Sequence, residues 1–228
     1  MKIISWNCNG AFRKKANLLS QYDPDCCIIQ ECENPEKFLF TTDFNVQYQH
    51  FWTGMSDRRG LGIFLKKELF ASEFYSDFQS FHDFIFLKTT FGGILGVWTH
   101  KPNYIEDLYD FISRYNHFID QTTTIAGDFN SNAIWDNAHG IKNHSGVVKA
   151  LQANGLFSAW HTLNNVDHGK ENVATLYFHK HLNHPFHIDY CFARKEMLET
   201  VSIGAFHDWI AYSDHMPLII TLKKEDKQ

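Results

Sequence analysis

The sequence predicts a mixed fold, either α+β or layered α/β, in which helices accompany sheets of mixed strand direction. About eleven short apolar or alternating runs are typical of strands, whereas only three or four stretches have helical periodicity. Several strand candidates follow one another directly, which excludes an uninterrupted βαβ alternation. The sequence contains neither a GxGxxG motif nor a GxxxxGKS/T motif, so it does not support a glycine-rich nucleotide-binding loop.

The predicted strands are short runs of apolar and β-branched residues bounded by polar or turn-forming residues. In chain order they lie at residues 2–6, 26–30, 46–52, 62–66, 84–90, 93–99, 123–126, 174–178, 188–193, 201–206 and 218–222. Between the fifth and the sixth, the Phe91-Gly92-Gly93 step predicts a tight hairpin.

Helices are predicted at residues 12–21, 105–119 and 146–153. The second has one apolar stripe, made of Leu108, Phe111, Ile112, Tyr115 and Ile119. Asn103, which follows Pro102, is the expected N-cap of that helix.

Length and composition favour one globular catalytic domain over residues 1–228. Apolar residues make up 44% of the chain, and no internal repeat or Pro/Gly/Ser-rich linker divides it. No apolar run reaches the roughly 20 residues of a bilayer span, so neither a membrane span nor a signal peptide is expected. The five cysteines lack the spacing of a zinc ribbon or a disulfide framework, which predicts a reducing, cytoplasmic environment.

The charge balance limits the contacts that the chain would make with a nucleic acid. With 21 basic and 26 acidic residues, its formal net charge is -5, whereas proteins that hold long duplexes by phosphate neutralisation usually run basic. A nucleic acid would therefore be bound locally, with a cation offsetting clustered carboxylates. No obligate protein partner is indicated.

Polar and ionisable side chains lie at or just past the ends of predicted strands, where short loops hold such groups around a common cleft. They are Asn7, Asn9, Glu31, His100, Asp128, Asn130, Asp189, Asp214 and His215. Taken singly, Asp and Asn are common turn residues, and a lone histidine is more often packed or exposed than catalytic. Clustered carboxylates repel one another unless a cation or a proton compensates, so the set predicts a hard divalent ion, Mg2+ or Mn2+.

Six motifs occur in order between residues 5 and 218: WNCNG, IIQE, THKPN, GDFN, IDYCF and SDHMPL. Together they resemble the signature of the exonuclease/endonuclease/phosphatase superfamily. That superfamily includes abasic-site endonucleases, pancreatic-type deoxyribonucleases, tyrosyl-DNA phosphodiesterases and inositol-polyphosphate phosphatases. The resemblance implies a four-layer sandwich, with two mixed sheets face to face and helices outside. It also implies metal-dependent hydrolysis of phosphate esters.

The resemblance implies that Glu31 is the principal metal ligand. Asn7 and Asn9 would lie close by, and Asp214 would support the same or a second ion. Asn9 departs from the pattern, because abasic-site enzymes typically carry aspartate there. An amide keeps one neutral oxygen donor, so the lost carboxylate is expected to lower ion affinity. This departure weakens both a two-ion scheme and abasic-site specificity.

The same resemblance implies the catalytic roles. Asp128 matches the residue that orients or deprotonates the attacking water, and Asn130 matches the amide that holds water and phosphate. His215 matches the histidine at the scissile phosphate, and Asp189 matches the carboxylate that fixes its tautomer.

Further residues are candidates for contacting the substrate. His100 and Asn103 resemble additional phosphate contacts of the superfamily, and His100 would act near the phosphate oxygens or the leaving group. Tyr177 and Phe186, in the stretch 175–187, are candidates to stack on bases. The alternation at residues 174–178 is equally typical of strand core, followed by an exposed turn, so both interpretations stay open.

Two groups of residues have ordinary alternatives to a functional role. The stretch 179–187 contains His179, His181, His184 and His187. A solvated loop is a better interpretation of this stretch than a zinc site, because the stretch is irregular and no cysteine lies nearby. Several basic residues near the motifs would form either a phosphate track or a solvated helix face and turn. They are Arg13, Lys14, Lys15, Arg58, Arg59 and Lys101.

The leading functional hypothesis is a magnesium-dependent phosphodiesterase, a nuclease that hydrolyses DNA by in-line water attack. The alternatives are action on RNA, on a small phosphate ester or on a protein–DNA adduct. A non-catalytic scaffold that binds nucleic acid is the alternative from another class.

Overall fold

A computed structural model describes residues 1–38, 40 and 44–223 of the chain. Within these residues, two mixed sheets have six strands each, and a short two-stranded hairpin is separate from both. The first sheet has the order β13-β14-β1-β2-β4-β3 and contains β1 (Lys2–Asn7), β2 (Cys26–Cys32), β3 (Tyr48–Ser56), β4 (Arg59–Lys66), β13 (Leu198–Ile203) and β14 (Leu218–Leu222).

The second sheet has the order β5-β6-β7-β8-β12-β9. It contains β5 (Ala71–Tyr75), β6 (Phe84–Thr89), β7 (Gly92–Trp98), β8 (Thr124–Asp128), β9 (Leu156–Ser158) and β12 (Asp189–Arg194). The hairpin consists of β10 (Leu176–Tyr177) and β11 (Pro185–Phe186).

The helices are short. They are α1 (Asn17–Ser20), α2 (Phe44–Gln47), α3 (Ile105–Arg114), α4 (His144–Ala153), α5 (Ala159–Asn164) and α6 (Phe206–Trp209). Single 3₁₀ segments occur at Phe12–Lys14, Asn116–Phe118, Ala133–Ala138, Phe178–Lys180 and Lys195–Met197. No helix among the described residues combines the length and the apolarity that crossing a membrane requires.

The two sheets face each other across an apolar core. Ile28 and Ile63 of the first sheet share this core with Ile85 and Ile94 of the second sheet. Their burial removes apolar surface from water, which is the main favourable term in folding. The sheets therefore form the two inner layers.

Helices cover the outer face of each sheet. Phe111 of α3 and Leu151 of α4 pack in a cluster with residues of the second sheet. Leu19 of α1, Phe44 of α2 and Trp209 of α6 pack in another cluster with residues of the first sheet. The four-layer sandwich that the resemblance implied is thus confirmed.

Strand pairing brings the ends of several strands to one edge of the sandwich. β1 runs parallel to β2, and β7 runs parallel to β8. β12 runs antiparallel to β8, so that its first residue, Asp189, lies opposite Asp128 at the end of β8. The glycine of GDFN permits close strand packing, since a Cβ on Gly127 (φ +158) would lie 1.8 Å from the Val97 carbonyl oxygen.

Most predicted strands are confirmed to within a few residues, and three need correction. Residues 46 and 47 belong to α2, so the strand predicted at 46–52 starts at Tyr48. The strand predicted at 201–206 ends at Ile203, and the strand predicted at 174–178 is reduced to β10. The prediction missed β5, β9 and β11. β9 and β11 have only three and two residues, too few for a pattern, and β5 is a largely exposed edge strand.

The helix predicted at residues 12–21 is wrong as one element, because it divides into the 3₁₀ segment and α1. Lys15 lies at the break, and its amine donates hydrogen bonds to the carbonyl oxygens of Cys8 and Tyr212. The helix predicted at 105–119 ends at Arg114. Tyr115 then leaves the helical conformation and packs on Phe78, with ring centroids 5.1 Å apart. Tertiary contacts override helical periodicity at both places.

Two turn predictions are also wrong in detail. Thr89 pairs with Gly92, so Thr90 and Phe91 are the two residues of the hairpin turn, not Phe91-Gly92-Gly93. Tyr104 occupies the N-cap position of α3, and Asn103 instead donates a side-chain hydrogen bond to Asp107 Oδ1 at 2.9 Å. The helices α2, α5 and α6 were not predicted, since four to six residues do not establish a helical period.

Candidate active site

The amide of Asn7 joins two carboxylates from different sheets. Its Nδ2 donates to Glu31 Oε1 at 3.2 Å and to Asp128 Oδ2 at 3.0 Å. Asp128 is fully buried and also accepts hydrogen bonds from the backbone N–H and the side-chain amide of Asn130. The orientation of the Asp128 carboxylate is therefore fixed by donors on both of its oxygens.

A buried histidine lies on the other side of Asp128. His215 Nδ1 donates to Asp189 Oδ2 at 2.9 Å, and its Nε2 lies 3.9 Å from Asp128 Oδ2. The remaining oxygen of Asp189, Oδ1, is buried and has no hydrogen-bond partner within the described part of the chain. Ligand atoms of Asp128, Asp189 and His215 all lie within 4.8 Å of one another.

The surroundings shift the pKa values of this cluster. Burial, followed by the charge of Asp189, raises the pKa of Asp128 to about 7, although His215 and Asn7 oppose the rise. Burial lowers the pKa of His215, but the charges of Asp189 and Asp128 outweigh burial and raise it to about 10. Near neutral pH, a charged imidazolium therefore lies beside a carboxyl group whose affinity for a proton is raised.

His100 has a buried partner that the sequence analysis missed. Its Nε2 donates to Asp83 Oδ2 at 2.9 Å, and Asp83 is 2% exposed. The hydrogen bond from His100 to Asp83 raises the pKa of His100 despite desolvation, which favours the imidazolium. In the sequence, Asp83 is a carboxylate just before a predicted strand, and an aspartate at that position is common in any turn.

A cleft of about 440 Å³ opens at this edge of the sandwich. Its lining includes Glu31, Asn130 and His100 together with Met55, Ser56, Arg59, Asp83, Trp98, Lys101 and Tyr104. The Arg59 guanidinium lies 2.5 Å from Glu31 Oε1 and 5.5 Å from the Trp98 ring centroid. The cleft thus combines a carboxylate with cationic and aromatic groups, which suits a phosphate ester.

Four residues of the site have left-handed backbone conformations. They are Asn9 (φ 52), Glu31 (φ 59), Asp83 (φ 59) and Asn130 (φ 45). Asn and Asp tolerate this region, whereas for Glu31 it costs on the order of 1–3 kcal/mol. Glu31 also lies at a bulge, where the register with β4 shifts between Gln30 and Cys32. Such bulges redirect side chains next to functional sites.

Other predicted site residues lie around this centre or apart from it. Asn9 is exposed, and its backbone N–H donates to Asn7 Oδ1. The Asp214 carbonyl oxygen accepts a hydrogen bond from the Tyr177 N–H, beside His215. Asn103 lines a different cavity, with Asp107 and Arg114, so the structure does not bring it into the cleft.

The two aromatic candidates also lie outside the residues that line the cleft. Tyr177 packs against Phe206, with 4.6 Å between ring centroids. Phe186 packs against Trp135 at 5.3 Å and lines a separate cavity of about 170 Å³. Their predicted stacking on bases stays a prediction.

Of the basic residues near the motifs, some line the cleft and others do not. Arg13 forms an ion pair with Glu33, and Lys15 is bonded to backbone carbonyls, so both serve local structure. Arg59 and Lys101 line the cleft, whereas Arg58 and Lys14 are exposed. Within the stretch 179–187, three of the histidines are exposed and His187 is buried, which agrees with the solvated-loop interpretation for most of it.

The oxygen donors around Glu31 suit a hard divalent cation. Glu31 faces the cleft with its side chain 15% exposed, and the amide of Asn7 and the carboxylate of Asp128 lie in the same hydrogen-bonded group. Mg2+ commonly binds through one or two carboxylates and keeps several waters, and Mn2+ accepts the same ligands. The ion pair with Arg59 already places positive charge beside Glu31.

Comparison with known families gives one match that covers most of the chain. The sequence model described as "Endonuclease/Exonuclease/phosphatase family" matches residues 4–215. A search of curated proteins finds no match.

Solved structures with a similar fold have low sequence identity. An AP endonuclease from Archaeoglobus fulgidus aligns with a TM-score of 0.73 and 17% identity, over 98% of this chain and 100% of that one. The 3′ phosphatase NExo from Neisseria, bound to a product DNA hairpin, aligns with a TM-score of 0.73 and 16% identity, over 98% and 100%. The TDP2 of D. rerio, complexed with a single-strand DNA product, aligns with a TM-score of 0.66 and 18% identity, over 98% and 99%.

Proposed function

The chain belongs to the endonuclease/exonuclease/phosphatase family, and from this premise we propose that it is a Mg2+-dependent phosphodiesterase that hydrolyses DNA. The observation that carries the proposal is the continuous arrangement of Asp189, His215 and Asp128 next to Glu31. His215 bridges the two aspartates at 2.9 and 3.9 Å, and Asn7 links Asp128 to Glu31. This arrangement provides both an acid and a base beside one candidate cation site.

Glu31 would hold the metal ion, with Asn7, Asn9 and Asp214 around it. A bound ion would supply positive charge that stabilises the negative charge developing on the phosphate. The left-handed backbone at Glu31 supports this assignment, because strain of this kind is usually retained where a function requires it.

Asp128 would orient the attacking water and accept its proton. Hydrogen bonds from Asn7 and Asn130 hold the carboxylate in one orientation. A pKa of about 7 suits a general base, since the group is largely ionised just above neutral pH and still has a useful affinity for a proton.

His215 would donate hydrogen bonds to the phosphate as an imidazolium, because its pKa is raised to about 10. Asp189 holds the ring through Nδ1 and leaves Nε2 on the side of Asp128. His100, itself held by Asp83, would supply a second positive charge from the wall of the cleft.

DNA is the substrate that the cleft supports best. Two cationic side chains, Arg59 and Lys101, line the cleft together with the aromatic rings of Trp98 and Tyr104. The net charge of -5 favours a second candidate, a small phosphate ester or a protein–DNA adduct, since little charge is available for binding long duplexes. RNA is a third candidate substrate. We place this activity in one domain and in the cytoplasm, and the five free, buried cysteines are consistent with that location.

The test measures nicking of supercoiled plasmid DNA alongside phosphate release from mononucleotides, with Mg2+, Mn2+ or a chelator. We expect nicking with Mg2+ that disappears with the chelator. Phosphate release without nicking would favour the small-ester candidate. No turnover of either substrate with any divalent ion would support a non-catalytic scaffold.

Two variants connect the activity to the site. Asp128→Ala and His215→Ala should abolish turnover, because the first removes the base and the second removes the imidazolium, while the melting temperature stays within about 5 °C. Unfolding of both variants would instead show that the residues are structural.

A further inference from the structure

A second group of potential metal ligands lies outside the cleft, on α5 and the segment that follows it. His161 Nε2 lies 2.8 Å from Glu171 Oε1, and the His168 ring stacks on the His161 ring with 3.5 Å between centroids. Ligand atoms of these three side chains all lie within 4.8 Å of one another. Tetrahedral zinc holds its ligand atoms about 3.3 Å apart, so small side-chain rotations would close the group around an ion.

Both histidines already have partners for their second ring nitrogens. Ser158 Oγ lies 2.7 Å from His161 Nδ1, and His144 Nε2 lies 3.0 Å from His168 Nδ1. Histidines that bind a metal usually donate the other N–H to a nearby acceptor, which fixes the tautomer and the ring orientation. Because a hydroxyl both donates and accepts, Ser158 suits His161 with or without an ion.

Two histidines beside the group have buried nitrogens that the described residues leave without partners. They are His144 Nδ1 and His187 Nε2, in side chains that are 1% and 4% exposed. His187 lies against His161, with ring centroids 5.6 Å apart. A buried polar atom without a partner is costly, so the surroundings of the group have room for a water molecule or another polar partner.

We propose that His161, His168 and Glu171 form a zinc site, with a water molecule as the fourth ligand. Two imidazoles and one carboxylate match the ligands of zinc, whereas Mg2+ prefers oxygen. A cavity of about 170 Å³ has Glu171 and His187 in its lining, so solvent approaches the group from the side of Glu171.

The zinc site would support the catalytic residues without contacting the substrate. Glu171 and His168 belong to the segment that leads to Thr175, whose Oγ1 accepts hydrogen bonds from the backbone N–H groups of Ile188 and Asp189. Metal binding would attach this segment to α5. An ion there would act on the catalytic residues only through the position of this segment, and the proposal is independent of which phosphate ester the cleft hydrolyses.

The experiment measures zinc content and thermal unfolding of the full chain. Protein stripped with a chelator is dialysed against Zn2+ or Mg2+, bound metal is counted by mass spectrometry, and melting curves are recorded. Because the cleft could also take zinc, the Glu31→Gln variant serves as background. We expect Zn2+ at about 100 times its Kd to raise the melting temperature of this background by about 5–10 °C. Mg2+ should have no such effect.

Matched variants locate the ion. Glu171→Gln and His168→Phe preserve shape and stacking, and each should remove the bound zinc and the melting shift from the Glu31→Gln background. His184→Ala, in the exposed turn, should retain both. Visible absorption of bound Co2+ should likewise show a tetrahedral site that the Glu171→Gln change abolishes. The proposal is overturned if the Glu31→Gln background binds no zinc, or if the two cluster variants bind it as well as the background does.

Discussion

Two clusters of this protein place buried or half-buried histidines in contrasting surroundings: the first is His215 with Asp189 and Asp128, and the second is His144, His161 and His168 with Glu171. His215, beside Asp189 and Asp128, has its pKa raised to about 10, whereas burial lowers the pKa of His144 to about 4 and that of His168 to about 2. Burial lowers the pKa in all three cases. Only His215 has two carboxylates close enough to reverse that effect, while His168 faces the neighbouring rings of His161 and His144.

This difference shows that the partner, rather than burial, decides what a buried histidine does. A charged imidazolium stabilises negative charge and suits a phosphate. A neutral imidazole offers a lone pair and suits a metal ion or a hydrogen-bonded core. One chain thus holds both chemical forms by changing which side chains surround the ring.

The largest effect is expected from Asp189→Asn, which removes the carboxylate that keeps His215 charged. Turnover should fall by about 100-fold to 10,000-fold, because the ring loses both its charge and its fixed tautomer. The pKa of His215, followed by NMR of the ring protons, should fall well below 10. Asp110→Asn, at a surface ion pair with Lys142, is the matched control and should change neither. A variant with normal turnover would show that Asp189 does not control His215.

The pH dependence of kcat/KM should show two limbs from the first cluster. A base works when deprotonated, so the rate should rise as pH increases through about 7, the pKa of Asp128. An acid works when protonated, so the rate should fall as pH increases through about 10, the pKa of His215. Added Mg2+ should move the lower limb to lower pH, because a cation favours the ionised carboxylate. A steady fall between pH 7 and 9 would contradict the assignment.

The sequence indicated the first cluster because each of its residues lies in a recognisable motif at or near the end of a strand: Asp128 ends β8, Asp189 begins β12 and His215 precedes β14. Strand pairing then determines where the residues meet: Asp189 lies opposite Asp128 in the ladder, and Asn7 ends the strand beside β2. The sandwich itself was implied by the family resemblance of the six motifs, whereas the strand and helix pattern alone predicted only a mixed fold. Each catalytic candidate could be recognised within its own short motif, and strand pairing in the fold then brings these motifs together.

The second cluster, Asp83 and the Arg59–Glu31 ion pair could not be predicted in this way. His144, His161 and His168 come from two helices and a loop, and no motif or period relates them. The sequence contains many histidines between residues 139 and 187, but the closely spaced ones within 179–187 were the candidates for a metal site, and three of these four are exposed. Contacts between distant, irregular segments depend on packing, which periodicity does not encode.

A moderate effect is expected on stability at acid pH, measured with a chelator present. Because the folded-state pKa values of His144 and His168 are lowered, the unfolded chain binds more protons below about pH 6.5. These two histidines should therefore lower the melting temperature as pH falls below about 6.5, a slope that opposes the one from the raised pKa values of Asp128 and His215. His168→Phe should reduce this slope. A slope that is unchanged in the variant would show that other groups cause the acid sensitivity.

The smallest effect is expected from Asn9→Asp, which adds a carboxylate beside the first cluster. Asn9 is exposed and left-handed (φ 52), a conformation that aspartate also tolerates, so the fold should not change. Calorimetric titration should show Mg2+ binding tighter by up to about tenfold, because a charged oxygen replaces a neutral one near Glu31. Zn2+ binding to the second cluster should stay the same, since the two sites share no residue. Unchanged or weaker Mg2+ affinity would mean that Asn9 lies too far from the ion to act as a ligand.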